Sequence, residues 1–212
     1  MTIESNKTLG GIGAILMAIG FLPFAGVYTG IIALVGLILV LISVKGFSDY
    51  YKDSGIFNNV LYAIVIVIVG AIVAGVFVAT AAIGLLNALG ITMGRVYDWT
   101  MIQQLIQNVS INAVLPYITT MLLSLVLLFV FAIVAAIFVR RSMTSLSEKT
   151  RVHMFATTGL VFLIGAILTI VLIGFVLLWV SLLLLAVSFF TIPTQLSQQP
   201  TQQPVSPPQT QQ

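Results

Sequence analysis

Long uncharged stretches dominate the chain and limit what it can fold into. Residues 8–44, 56–94, 116–139 and 154–192 contain no Asp, Glu, Lys or Arg. Only 6% of the 212 residues are charged and 60% are hydrophobic, whereas a soluble domain carries about 25% charged residues. Apolar runs of about 20 residues cross a bilayer as helices. The composition therefore predicts an all-α, polytopic transmembrane helix bundle in contact with the lipid bilayer.

Three of these stretches are too long for one crossing. Residues 8–44 would form a rod of about 55 Å, against a hydrocarbon core of about 30 Å, so they must turn back near Pro23. Residues 154–192 must also turn back, and Gly174 is the predicted break. We place a transmembrane domain at 1–192, with six spans at residues 9–25, 29–44, 56–79, 116–139, 154–173 and 175–191.

Other interpretations apply to the segments around these spans. A cleaved signal peptide is the alternative for the first span, because a basic residue precedes a short apolar run, although no small-residue cleavage site follows. Residues 80–94 continue past the third span as a loop or half-helix. Residues 193–212 are rich in Gln, Pro, Thr and Ser, a composition that predicts a disordered tail.

Two charged segments at span ends are predicted to be loops. The first is residues 45–55, whose two Lys and two Asp cancel. Positive charge marks the cytoplasmic side. Six spans in the cell membrane therefore put both chain ends and both loops in the cytoplasm, and Arg95 is the only basic residue on the outer side. The second loop, residues 140–153, contains the only His and four of the eight basic residues, Arg140, Arg141, Lys149 and Arg151.

The two loops also resemble each other. One follows Lys45 and leads to Ile56 and Phe57, and the other follows the arginine pair and leads to Met154 and Phe155. Two related halves of about three spans would suit a parallel-repeat membrane fold. Chance is the stronger explanation, because hydrophobic sequences align easily.

The polar region at residues 95–114 is predicted to lie on the outer side. Its apolar side chains fall at helical spacing, which favours a short amphipathic interfacial helix on the bilayer surface. A helix packed over the bundle fits the same spacing. Asn108 begins an N-x-S sequon here and is a candidate glycosylation site.

No arrangement of side chains points to catalysis. All charged side chains lie in predicted loops or at span ends, whereas membrane enzymes and ion-coupled transporters place ionisable groups inside the bilayer. His153 alone supplies one metal ligand where three or four are needed, and the chain has no Cys. The sequence therefore predicts a protein that is not an enzyme and holds no cofactor or metal. Because the basic residues lie at span ends, nucleic acid is not an expected partner.

Small residues at four-residue spacing predict close contacts between helices. They are Gly26-x-x-x-Gly30 and Ala71-x-x-x-Gly75. We assign these contacts to packing within the bundle rather than to dimerisation. A homo-oligomer is compatible with the sequence but has no support in it.

Four stretches of the chain carry a family pattern. They are TLGGIGAIL (8–16), GLILVLISVKGFSDYYKDSGIFNN (36–59), LSEKTRVHMFATTGLVFLIGAILTIVLIGF (146–175) and FFTIP (189–193). In order and spacing they resemble an uncharacterised family of archaeal multi-pass membrane proteins, the domain-of-unknown-function 996 family. The resemblance implies an integral membrane protein and supplies no activity, ligand or catalytic residue.

The leading hypothesis is a non-enzymatic membrane scaffold or interaction protein. Residues 140–153 would contact anionic lipid headgroups or a membrane-protein partner, although orientation in the bilayer also explains the charges. The second hypothesis is a channel or transporter for a small neutral solute, lined by Ser43, Thr80, Asn87, Thr119, Thr120, Ser124, Thr157, Thr158, Thr169 and Ser181. An intramembrane enzyme using His153 is a distant third hypothesis.

Overall fold

Helices that pair as antiparallel hairpins make up the part of the chain that the structure describes. The computed structural model describes residues 2–22, 28–91, 99–100, 103 and 110–193. Those ranges contain no strand, so the prediction of an all-α bundle is confirmed. The six long helices are α1 (Ile3–Gly20), α2 (Tyr28–Tyr50), α3 (Ser54–Ala88), α4 (Ile111–Thr150), α5 (Met154–Leu168) and α6 (Ile173–Thr191), with a 3-10 turn at Thr169–Val171.

Consecutive helices pack against each other, and α6 packs back on α1. The order of contacts therefore closes on itself, with hairpins α1–α2, α3–α4 and α5–α6. Helices α2, α3, α4 and α6, and α5 with its 3-10 turn, are long and apolar enough to cross a membrane. The remaining helix, which is α1, carries Glu4 and Lys7 near its start. The chain is thus built as a multi-pass membrane protein.

Helices α3 and α4 are much longer than the others. Their 35 and 40 residues correspond to about 52 and 60 Å, nearly twice a hydrocarbon core of about 30 Å. Gly159 of α5 packs against Arg140 of α4. From that level α4 continues for about 44 Å to Ile111, whereas α5 and its 3-10 turn continue for only about 20 Å. The α3–α4 hairpin therefore extends well past the tip of α5–α6.

Residues predicted to form charged loops are largely helical. Helix α4 runs through both arginines to Thr150, so the prediction of a loop at 140–153 is wrong except for its last three residues. Helix α2 likewise continues to Tyr50 through part of the predicted loop at 45–55. Charge ends the apolar run but does not end a helix, because a helix that leaves the bilayer can expose charged side chains to water.

The long helices also extend past their predicted spans at the other end. Helix α3 continues to Ala88, through residues predicted as a loop or half-helix. Helix α4 begins at Ile111, so Pro116 lies inside the helix, beyond its first turn. At this position proline removes one helical hydrogen bond. The interfacial helix predicted at 95–114 falls mostly outside the described residues.

The chain between α5 and α6 turns without the predicted glycine break. The turn occupies residues 169–172, and Leu172 adopts the left-handed conformation at φ 63°. Gly174 lies inside α6, where a Cβ would overlap the carbonyl oxygen of Gly165. Its role is close approach of the two helices. Apart from Thr169 the true turn residues are apolar, and none of them is a Gly, Pro, Asn or Asp that would mark a turn in the sequence.

Glycines line the contact between the helices of each hairpin. A Cβ at Gly70 would lie 2.6 Å from Cβ of Phe131, and a Cβ at Gly36 would lie 2.6 Å from the carbonyl oxygen of Gly13. A Cβ at Gly165 would lie 3.0 Å from the α6 backbone. Lipid tails are as apolar as leucine, so helices in a membrane gain from close backbone packing and not from burying apolar area.

The small residues singled out in the sequence do not take part in this packing. Gly30 and Gly75 have no atom within 4 Å of a built Cβ, and Ala71 is exposed. The assignment of these three residues to contacts within the bundle is therefore wrong, and Gly26 lies outside the described residues. Four-residue spacing identifies a helix face but does not say which way that face points.

One end of the bundle, which we call the basic end, holds every Lys and Arg among the described residues. Here α1 begins, the α2–α3 and α4–α5 turns lie, and α6 ends. Lys7 Nζ donates to the carbonyl oxygen of Ile192 at 2.8 Å, which satisfies a terminal carbonyl of α6. Phe47, Phe155 and Phe189 are fully buried at this end.

A pair of glycine substitutions on α3 tests the role of the hairpin contacts. Gly70→Ala should lower the free energy of unfolding by about 1–3 kcal/mol, because the new methyl group meets Phe131. Gly75→Ala is the matched control, since its methyl group has open space, and it should be neutral or stabilising by up to about 1 kcal/mol. Thermal unfolding in lipid nanodiscs measures both. Equal effects of the two substitutions would contradict the assigned packing.

Candidate functional site at the basic end

The α2–α3 turn is held by side chains on both of its flanks. Lys52 has a positive φ of 52°, and Ser48 Oγ donates to the carbonyl oxygen of Asp53 at 2.8 Å. Asp53 then caps α3, because its Oδ1 accepts from the backbone N–H of Gly55 at 3.0 Å. The turn therefore needs only residues 51–53 between two long helices.

The α4–α5 turn repeats this arrangement. Arg151 has a positive φ of 58°, and Ser147 Oγ donates to the carbonyl oxygen of Val152 at 3.0 Å. In both turns a serine hydroxyl reaches the carbonyl five residues later, and the residue before that carbonyl is basic and left-handed. The similarity noted between the two segments in the sequence is thus real at the level of the turns, with Ser48 matching Ser147.

The four basic residues predicted to form a contact surface share this end of the bundle. Arg140, Arg141, Lys149 and Arg151 are all exposed. Lys149 Nζ lies 3.8 Å from Oδ2 of Asp53, a contact that is worth little at this exposure. The three arginines have no carboxylate within 4 Å in the described part of the chain, and they lie along the last turns of α4 and its cap.

His153, the one candidate acid-base group of the sequence, forms no site in the described part of the chain. His153 is exposed and precedes α5 without a side-chain capping bond. Within the described ranges no three side chains of the metal-ligating types come together. Asn108, the candidate glycosylation site, and nearly all of the predicted tail lie outside the described residues.

Hydroxyl groups predicted to line a pore are engaged elsewhere. All nine Ser and Thr side chains of that set donate to main-chain carbonyl oxygens. Seven bond within their own helix, as Ser and Thr in helices commonly do. Ser43 and Ser124 bond to a neighbouring helix, at 2.6 Å and 3.0 Å. The tenth residue, Asn87, is exposed.

A cleft that sequence reasoning missed opens between α1, α2 and α3. Its volume is about 470 Å³. The lining combines charged, polar, aromatic and aliphatic side chains, which are those of Asn6, Leu41, Ile42, Lys45, Asp49, Tyr50 and Phe57, together with Gly46. One available signal was Asn6, a polar residue that follows the first turn of a helix and faces inward at 1% exposure.

Electrostatics inside the cleft centre on Lys45. Its Nζ donates to Oδ1 of Asp49 at 2.7 Å and lies 5.4 Å from the ring centroid of Phe57, within range of a cation–π interaction. Asn6 lies against Gly46, where any Cβ would overlap the asparagine side chain. Among the described residues Oδ1 of Asn6 is buried without a hydrogen-bond donor.

Tyr51 lies just past α2, beside the cleft. Its hydroxyl is shielded from solvent and has no partner in the described part of the chain. The ring stacks on Phe47 with centroids 6.4 Å apart, and Tyr50 meets its edge at 5.0 Å. Burial of the phenol raises the pKa of Tyr51, and the neighbouring Tyr50 adds to the rise.

Comparison with known proteins gives a family but no activity. The model of a family described as protein of unknown function (DUF996) matches residues 32–183. The chain is also similar to the uncharacterized protein MJ1644 of Methanocaldococcus jannaschii, with 24% identity over 92% of this chain and 96% of the relative. No solved structure matches. The matched range begins inside α2, ends inside α6 and leaves α1, with Asn6, outside.

Substitution of Tyr51 by Phe tests the buried phenol. The folded protein holds the phenol proton more tightly than the unfolded chain, whose pKa is about 10, so the wild type should lose stability as the pH rises above about 10. Tyr51→Phe should reduce that loss, and at pH 7 it should be at least as stable, because it removes a buried hydroxyl without a partner.

Melting temperatures between pH 7 and pH 11 measure this effect. Tyr50→Phe is the control, since that ring is 46% exposed, and it should leave most of the alkaline loss in place. If the melting temperature of Tyr51→Phe falls between pH 10 and pH 11 as steeply as that of the wild type, or is lower than that of the wild type at pH 7, the role assigned to the buried phenol is contradicted.

Proposed function

This chain belongs to the DUF996 family of proteins of unknown function, and from that premise we propose that it is a non-enzymatic scaffold of the cell membrane. In this proposal the basic end faces the cytoplasm, where it holds an acidic segment of a partner membrane protein. The contact residues are Arg140, Arg141 and Arg151, with Lys149 beside them.

The observation that carries the proposal is the set of exposed arginines without carboxylate partners. Acidic side chains are present at the same end, but Asp49 pairs with Lys45 and Asp53 with Lys149, and Glu4 and Glu148 form no salt bridge with the arginines in the described part of the chain. An arginine fork binds a carboxylate through two parallel hydrogen bonds. Three guanidinium groups without carboxylate partners therefore favour binding of an acidic partner.

The rigidity of α4 supports the same role. Arg140 and Arg141 lie on α4 and Arg151 caps its end, about 16 Å further along the axis, and the helix continues unbroken into the long hairpin. The ring of Phe138 lies 5.7 Å from the Arg141 guanidinium carbon and limits its freedom. Because the helix fixes the backbone spacing of these cations, only their side chains have to be ordered when a partner binds.

A channel or transporter for a neutral solute is the second candidate, and less supports it. The nine hydroxyl groups expected to line a pore bond to main-chain carbonyls, and none of them lines the cleft at the basic end. Flux through liposomes that contain the pure protein, above that of empty vesicles for any solute of a panel, would favour this candidate over the scaffold.

Orientation in the membrane is tested by single cysteines in this chain without Cys. Positive charge at the cytoplasmic side predicts that an impermeant thiol reagent labels Ile111→Cys, at the opposite end, in intact cells and labels Ser145→Cys only after lysis. The lysed sample is the control for reactivity at both positions. Labelling of Ser145→Cys in intact cells would reverse the orientation and remove the proposed cytoplasmic contact.

The scaffold role is tested by a photocrosslinker placed at Ser145 in native membranes. A partner membrane protein should crosslink to the wild type, and the Arg140→Gln, Arg141→Gln, Arg151→Gln triple variant should reduce the yield about tenfold or more, as expected for loss of charge-assisted hydrogen bonds. Deleting the protein from the cell should cause the partner's complex to dissociate on native gels. Expression of the wild type, but not of the triple variant, should restore the complex.

Lys52→Asn is the control for loss of charge alone, because Lys52 is an exposed cation at the same end and Asn tolerates its left-handed conformation. It should leave crosslinking and the partner complex unchanged. Crosslinks that contain only lipid, or a protein yield no higher than that of a chain with residues 140–153 scrambled, would overturn the scaffold proposal.

A further inference from the structure

The cleft between α1, α2 and α3 contains an acceptor that lacks a donor. Asn6 is 1% exposed, and its Oδ1 has no hydrogen-bond partner among the described residues. Leaving a buried acceptor unpaired destabilises the fold, so native proteins rarely keep one without a reason. The same side chain lines the cleft, where a bound molecule can supply the missing proton.

The other polar groups of the cleft also favour a ligand with hydroxyl groups. The Lys45 ammonium has three protons, and one of them goes to Asp49. The Lys45 side chain is 52% exposed, so its remaining protons are free to meet acceptors on a ligand, whereas Asn6 Oδ1 and the Asp49 carboxylate accept further donors. A hydroxyl group both donates and accepts. Lys45 and Asp49 together carry no net charge, so the cleft selects for hydroxyl groups more than for negative charge.

The lining changes from polar to apolar along α2. Asp49 and Tyr50 lie at the end of the helix, Lys45 lies about one turn deeper, and Leu41 and Ile42 lie deeper still. This change takes place over about 14 Å, at the depth where the chain leaves the apolar part of the bundle. Such a gradient matches an amphiphile whose head group lies beside Lys45 and whose chain follows Leu41 and Ile42.

We propose that this cleft binds one membrane lipid with a hydroxyl-rich head group, of the glycerol or sugar type. A head-group hydroxyl donates to Asn6 Oδ1, another accepts from Lys45 Nζ, and the Phe57 ring forms one wall. The site is distinct from the exposed arginines of α4 and does not depend on the scaffold role.

Binding is measured on the full chain, purified in detergent and freed of lipid, by native mass spectrometry with four lipids of equal acyl chains. Phosphatidylglycerol has hydroxyls and a phosphate, a monoglucosyl diacylglycerol has hydroxyls alone, phosphatidylmethanol has the phosphate alone, and phosphatidylcholine lacks hydroxyls and net charge. One copy of each hydroxyl-bearing lipid should bind about tenfold more tightly than the other two, because a single buried hydrogen bond is formed.

Three variants locate the site. Asn6→Leu removes the unpaired acceptor at similar volume, Lys45→Gln removes the donor cation, and Ile42→Trp fills the apolar part of the cleft from a residue that is 38% exposed. Asn6→Leu and Lys45→Gln should each abolish the preference for hydroxyl-bearing lipids, and Ile42→Trp should weaken binding of all four. Because Lys45 and Ile42 are exposed, their two variants still test the site if Asn6→Leu fails to fold.

Lys52→Asn is the matched control, since it removes a cation of the same segment that does not line the cleft, and it should bind like the wild type. Equal affinity for all four lipids would overturn the proposal, as would equal losses in Lys45→Gln and Lys52→Asn. Tight binding of phosphatidylmethanol alongside phosphatidylglycerol would show that charge and not hydroxyl groups is recognised. Displacement by free glucose or glycerol 1-phosphate at millimolar concentration would overturn the role assigned to the lipid chain.

Discussion

Packing of three buried phenylalanines at the basic end is the interaction on which the rest of the structure depends. Phe47 of α2, Phe155 of α5 and Phe189 of α6 are each 0% exposed. The centroid of Phe189 lies 6.1 Å from that of Phe47 and 5.2 Å from that of Phe155. Ile56 of α3 and Leu146 of α4 are packed in the same cluster. Helices from all three hairpins are therefore joined at this one place.

The position of that cluster has a physical reason. Inside a bilayer, apolar side chains gain little by leaving lipid for protein, so helices are held by close contact and hydrogen bonds. At the end of the bundle the surroundings become aqueous, and burying apolar side chains again stabilises the fold. This difference explains why glycines such as Gly70 and Gly165 form the contacts along the hairpins, while large side chains concentrate where water begins.

The basic end also carries the features that suit contact with other molecules. The arginines of α4 point outward without carboxylates, and the cleft beside Lys45 keeps an unpaired buried acceptor in Asn6. Hydroxyl groups in the membrane part are already bonded to carbonyl oxygens and add to packing. Interaction chemistry is thus concentrated at one end of the bundle, while most of its length serves to position that end.

The two turns at the basic end show how such positioning is achieved with few residues. A serine hydroxyl, from Ser48 or Ser147, donates to a carbonyl oxygen beyond the turn, which also accepts from the backbone N–H three residues after it. A basic residue in the left-handed conformation then reverses the chain without glycine. The long helices can therefore run to the end of the bundle, and this is why the segments predicted as loops from their charge are mostly helical.

Sequence alone determined the class of protein and predicted that the Lys and Arg residues of the described ranges share one end of the bundle. Runs such as 56–94 and 154–192 contain no charge. The bilayer leaves a spanning segment only a helix or a strand of a closed barrel, and long runs without alternating polar residues are typical of helices. The sequence could not place the turn at 169–172, because its residues are as apolar as the helices beside it. It also misassigned Gly75 and Ala71, since periodicity defines a helix face but not its neighbour.

Only the tertiary structure decided which polar residues come together. Asn6 and Lys45 lie far apart along the chain, and neither stands out among the charged segments, yet α1 and α2 bring them to one cleft. The unpaired state of Asn6 depends on what surrounds it in three dimensions, which no local pattern records. Composition and charge thus determined the helices and their bilayer environment through the energetics of the bilayer, whereas the site arose from the way in which α1, α2 and α3 pack together.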